Sequence, residues 1–132
     1  MMMRFTHAIL RTPGSNLAQG LTTANSGVPD HTLAITQHTK YANALERAGL
    51  QVTILDPLPE FPDAYFVEDV AVVTEEIAVI TRPGAESRRG EEAFIEPELT
   101  KHRRMGRIVD PARLDGGDVI VAEKRVFVGL TD

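Results

Sequence analysis

Two stretches of this chain return in altered form about 50 residues further on, at the upper end of the periods found in repeat architectures. Asp69-Val70-Ala71-Val72, ahead of an acidic turn, is echoed by Asp118-Val119-Ile120-Val121 ahead of a charged one. Thr53-Ile54-Leu55-Asp56-Pro57 is echoed by Arg107-Ile108-Val109-Asp110-Pro111. Each unit therefore runs hairpin, helix, single strand, which makes the fold class α/β. Such repeats generally need about three or more copies to close a core. This chain holds about two, plus the opening hairpin of a third, so it reads as a piece of something longer.

The elements follow from local pattern. Residues 5–10 predict a strand closed by Thr12-Pro13-Gly14-Ser15, and residues 22–28, polar and Gly-containing, predict a mobile loop. Pro29-Asp30 starts a helix with Asp30 as N-cap. Ala34, His38, Tyr41, Leu45 and Ala48 share one face of it, and Gly49 ends it. Residues 51–55 predict a short strand before a proline-rich loop. Residues 70–73 and 77–80 predict a hairpin of β-branched residues turning at Thr74-Glu75-Glu76. Residues 87–102 predict a helix that buries Ile95 and Leu99, with Pro97 as a point of bending. Residues 107–109 form the next strand, and 118–121 with 125–128 the last hairpin.

Charge and cysteine usage narrow the chemistry. Fourteen Lys and Arg against nineteen Asp and Glu leave a net charge of −5, which argues against nonspecific binding to nucleic acid or anionic membrane. No stretch approaches the roughly 20 apolar residues of a membrane span, and the start lacks the apolar run of a signal peptide, so a cytoplasmic location is expected. Cysteine is absent, which removes disulfides, thiolate zinc sites and a cysteine nucleophile from these 132 residues.

Three clusters could carry chemistry. Asp63, Glu68 and Asp69 surround the apolar Tyr65-Phe66-Val67, and paired carboxylates match a guanidinium or ammonium in charge and hydrogen-bond geometry. A solvated acidic loop or a strand cap fits the same spacing. Arg88-Arg89 opens the second helix, where an arginine can hold a carboxylate by two prongs or simply face water. Leu114-Asp115-Gly116-Gly117-Asp118 pairs glycines, suited to positive φ or close backbone approach, with an acid able to orient a histidine. A tight turn explains the same glycines. His7, His31, His38 and His102 lack metal-ligand spacing, and His38 falls on the apolar helix face, a position that suits a satisfied core histidine better than a ligand.

Asp63 through Val73 (DAYFVEDVAVV), Ile80 through Arg89 (ITRPGAESRR) and Leu114 through Val119 (LDGGDV), in this order and spacing, resemble the dimethylarginine dimethylaminohydrolase family. The resemblance covers residues 5–130, about the first half of the family's length. It implies the α/β-propeller (pentein) fold of ββαβ units, with residues 1–132 as a single N-terminal portion. It also implies hydrolysis of methylated arginine to citrulline and a methylamine, through a cysteine thiolate and a histidine, with no metal or organic cofactor. Carried over residue by residue, Asp69 holds the guanidinium with Glu68 beside it. Asp63 and the backbone at Leu21 receive the α-ammonium, and Arg88 receives the α-carboxylate. Asp115 orients the catalytic histidine.

The family's cysteine, histidine and second carboxylate-binding arginine have no counterpart here. The expectation is therefore the substrate-recognition half of such a hydrolase, inactive by itself. The alternative is a non-catalytic module of the same fold that binds an arginine-like ligand or a protein. The expected partner is a small-molecule substrate, methylated arginine, with no nucleic acid and no membrane. Exposed blade faces and the strand edge at 125–128 lead to an expected homo-oligomer.

Overall fold

The computed structural model describes residues 5–130, which form two compact units meeting in sequence between Phe66 and Val67. In the first unit, β1 (His7–Arg11) pairs in parallel with β2 (Gln51–Leu55), from His7 opposite Gln51 to Arg11 opposite Leu55. Parallel pairing needs a long crossover, and α1 (His31–Arg47) supplies it. Asp30 caps this helix as expected, its carboxylate accepting the Leu33 N–H at 2.7 Å. At the far end Gly49 takes φ +90°, and its N–H and that of Leu50 return to the carbonyls of Glu46 and Leu45. This is a Schellman stop, which requires the left-handed conformation that glycine adopts without strain. The inward stripe differs from the expected one. It runs through Ala34, Ile35, His38, Ala42 and Leu45, while Tyr41 is 56% exposed, and Ala48 is exposed as well. Ala42 is the helix's one buried residue, four positions after His38, and the stripe drifts with the 3.6-residue period.

The second unit contains a complete ββαβ repeat. β3 (Ala71–Val73) and β4 (Ile77–Ile80) form the expected antiparallel hairpin. Its turn is fastened by Thr74, whose N–H and hydroxyl both donate to the Ile77 carbonyl. β5 (Arg104–Arg107) pairs in parallel with β4, Ile77 opposite Arg104 and Ile80 opposite Arg107. It begins three residues before the expected strand. Pairing still extends past it, because the Ile108 N–H donates to the Ile80 carbonyl at 2.8 Å.

The helix expected over 87–102 is broken. Two short 3-10 turns, Glu86–Arg88 and Glu91–Phe94, precede the single turn α2 (Glu96–Leu99). Gly90, at φ 106°, throws the chain out of the right-handed helical region between the first two. Pro97 lies in the first turn of α2, where its missing N–H costs no helical bond. Ile95 and Leu99 are buried as expected, together with Val70, Ala78 and Ile80. A last hairpin, β6 (Val119–Ala122) with β7 (Arg125–Val128), turns at Glu123, which has φ 55°. This is the opening hairpin of the next repeat. No helix among the described residues is long and apolar enough to cross a membrane.

Candidate active site

In the first unit, Asp63 follows the proline-rich loop and is 7% exposed. Its carboxylate accepts the Leu21 backbone N–H at 2.9 Å, and its carbonyl accepts the Phe66 N–H at 3.0 Å. The chain passes so close that a Cβ on Gly20 would lie 2.4 Å from the Asp63 Oδ1. The structure thus joins Asp63 to Leu21, two residues that the sequence separates by 42 positions. Leu21 presents its N–H to this acid, and its own side chain is exposed.

In the second unit, Asp69 is held from three sides. Its Oδ1 accepts the Gly117 N–H at 3.0 Å, its carbonyl accepts the Thr81 hydroxyl at 2.7 Å, and its Oδ2 pairs with Nη1 of Arg88. Arg88 is buried, so the solvated reading of the Arg88-Arg89 pair fails for its first member. Its Nη2 pairs with Glu91, which is only 3% exposed. Burial pulls the Arg88 pKa down, but the hydrogen bonds and charges of Glu91 and Asp69 outweigh it and leave the pKa raised. Arg89 instead ties down backbone, donating to the carbonyls of Pro83 and Gly84.

Glu91 is a buried partner of Arg88 that the sequence did not single out. The available signal was its i,i+3 spacing from Arg88, but Gly90 between them hides which way the chain turns. Glu68 is exposed, and its carbonyl lies against Gly116, where an added Cβ would come within 1.9 Å. A Cβ on Gly117 would meet Asp69 Oδ1 at 2.5 Å. The glycine pair therefore serves close approach rather than positive φ. Asp115 is half-buried, and its Oδ2 accepts the Gly84 N–H at 3.1 Å, which fixes the loop leaving β4. Among the described residues no group of three or more His, Asp or Glu is arranged to hold a metal ion.

The acids and the arginine are those of the three motifs, and comparison with known proteins extends the match along the chain. No protein-family model matches the sequence. It is 40% identical over 127 residues to N(G),N(G)-dimethylarginine dimethylaminohydrolase of Pseudomonas aeruginosa, covering 95% of this chain and 50% of that protein. The enzyme of the same name from Streptomyces coelicolor is 42% identical over 127 residues, covering 92% and 48%. This chain is a relative of the dimethylarginine dimethylaminohydrolases. The Pseudomonas aeruginosa enzyme, solved with citrulline as a variant in which a cysteine is replaced by serine, superposes with a TM-score of 0.96 at 39% identity. That match covers 98% of this chain and 51% of the solved one. The fold is therefore the α/β-propeller architecture that the family resemblance implies, and the chain spans about half the length of the curated relatives it matches.

Proposed function

We propose that this chain is the substrate-recognition part of a hydrolase acting on the guanidino group of methylated arginine. The observation that carries the reading is the pairing of Asp69 with a guanidinium, that of Arg88, in a largely buried setting backed by the Gly117 N–H. A carboxylate placed and desolvated to hold one guanidinium is suited to hold another. In this reading Asp69 takes the substrate guanidinium with Glu68 beside it, and Arg88 takes the α-carboxylate. Asp63, with the Leu21 backbone, takes the α-ammonium. Each charge of the substrate then meets its opposite. Asp115, already fixed on the Gly84 N–H, is the acid that orients a histidine.

The chemical step calls for a cysteine thiolate that attacks the guanidinium carbon, and for water that then releases citrulline from the covalent intermediate. These 132 residues contain no cysteine, so the chain binds without turning substrate over. Self-association belongs to the same reading. Ile120, Val126, Phe127 and Val128 of the last hairpin are each at least 49% exposed, and β7 has no outer neighbour among the described residues.

Thermal unfolding with and without methylated arginine tests the proposal, since a ligand that binds only the folded state raises Tm by mass action. A rise in the wild-type chain that Asp69→Asn removes is the expected result. No rise, or a rise that Asp69→Asn leaves intact, would overturn the reading. Citrulline released by the chain and lost on Asp69→Asn would mean that the nucleophile lies among these residues after all.

A further inference from the structure

Asp69 and Asp118 are equivalent positions of the sequence echo, and each lies in a 3-10 turn that leads into a hairpin. Their carbonyls meet different donors. In the later hairpin the Asp118 carbonyl accepts the Gly129 N–H at 2.8 Å, a backbone bond that continues the ladder. In the earlier hairpin the backbone bond falls one residue further on, where the Thr81 N–H donates to the Val70 carbonyl at 3.0 Å. The Thr81 hydroxyl then donates to the Asp69 carbonyl at 2.7 Å. Consecutive carbonyls of a regular strand point to opposite sides, yet here a single residue meets two in succession. The chain has left strand geometry between them, and Thr81 fixes where it does so.

Packing alone does not call for that hydroxyl. Thr81 is 1% exposed and follows the apolar run Ile77-Ala78-Val79-Ile80, where valine has the same branched shape and the same preference for extended backbone. What threonine adds is a donor, and that donor is directed at the main chain of the acid. We propose that Thr81 is a positioning residue for Asp69, holding its backbone so that the carboxylate is aimed at a ligand's guanidinium. The inference rests on the role of Asp69 given above. Two tethers then define the carboxylate. Thr81 sets the backbone from which it springs, and the Gly117 N–H holds its Oδ1 at 3.0 Å. Releasing the first lets the backbone turn at Asp69 and draws the carboxylate off the second.

The test compares Thr81→Val, which gives up the hydroxyl, with Thr81→Ser, which gives up the methyl. One readout is Kd for NG,NG-dimethyl-L-arginine. The other needs no ligand: hydrogen exchange of the Gly117 amide in the 15N-labelled chain, relative to the Ile108 amide that donates to Ile80 in the same unit. Thr81→Val should raise Kd about tenfold, the worth of one hydrogen bond, and speed Gly117 exchange about as much relative to Ile108. Thr81→Ser should lose stability in urea through the missing methyl, yet keep both readouts within about twofold of wild type. A merely structural threonine would make both readouts follow stability. An unchanged Kd or exchange ratio in Thr81→Val overturns the proposal, as does Thr81→Ser impaired as far as Thr81→Val. So does a wild-type Gly117 amide that exchanges as freely as an open loop. Should Thr81→Val not fold, Thr81→Cys takes its place, because a thiol is a weak donor. Its Kd and exchange ratio should exceed those of Thr81→Ser, and equality overturns the proposal. No binding by wild type, or binding indifferent to Asp69→Asn, would instead refute the role of Asp69, with the exchange ratio still deciding that of Thr81.

Discussion

At the scale of single residues, the glycines behind Asp69 are as constrained as the charges in front of it. Gly116 runs against the Glu68 carbonyl, which cannot move without moving the strand entrance, whereas Gly117 faces the end of a side chain. Gly116→Ala should therefore cost about 1–3 kcal/mol in urea unfolding, as overpacking against backbone does. Gly117→Ala should cost less stability but weaken guanidinium binding, because its Cβ displaces the Asp69 carboxylate. Equal losses of stability from the two would contradict this account. Asp63 and Asp69 were legible in the sequence as candidates because they flank the apolar Tyr65-Phe66-Val67, whereas Arg88, among polar and charged neighbours, was legible through the motif at 80–89. Their local partners were not. The pairing of Asp63 with the Leu21 N–H depends on a loop closing over 42 positions, and that of Arg88 with Glu91 on one left-handed glycine.

At the scale of elements, α1 carries the clearest pH dependence. Burial lowers the pKa of His38 below its ordinary value, and a hydrogen bond with the Arg11 backbone only partly opposes this. The unfolded chain then binds the proton more readily, so this contribution to stability is present above the unfolded pKa and is lost as pH falls through the folded one. Urea unfolding from pH 7 down to pH 5 should show wild type losing stability faster than His38→Gln, and parallel curves would count against it. The helix start offers a second check. Asp30→Ala removes the bond to the Leu33 N–H and should cost about 1 kcal/mol in the same experiment. Asp30, Gly49 and the hairpin at 71–80 were readable because caps, stops and β-branched runs are local signals. The helix at 87–102 was misread because Ile95 and Leu99 keep helical spacing around the start of α2, while Gly90 breaks the chain ahead of both. The strand now at Arg104–Arg107 was misplaced because charged residues occupy positions that backbone pairing with β4 fixes.

At the scale of the whole molecule, the echo between residues 69–72 and 118–121 revealed the ββαβ repeat, but a repeat unit does not state how many copies close a propeller. The account treats the exposed hairpin as adhesive. Sedimentation at micromolar concentration should show a dimer or larger species, and Val128→Asp should shift it toward monomer. A compact wild-type monomer would contradict the expectation. The central claim, that Asp69 recognises a guanidinium, is tested most directly by calorimetric titration of the chain with NG,NG-dimethyl-L-arginine, in wild type and in Asp69→Asn. The account predicts saturable binding in the wild type, weakened at least about tenfold by Asp69→Asn, as expected when a charged partner of a guanidinium is neutralised. Equal affinity in the two proteins would contradict it.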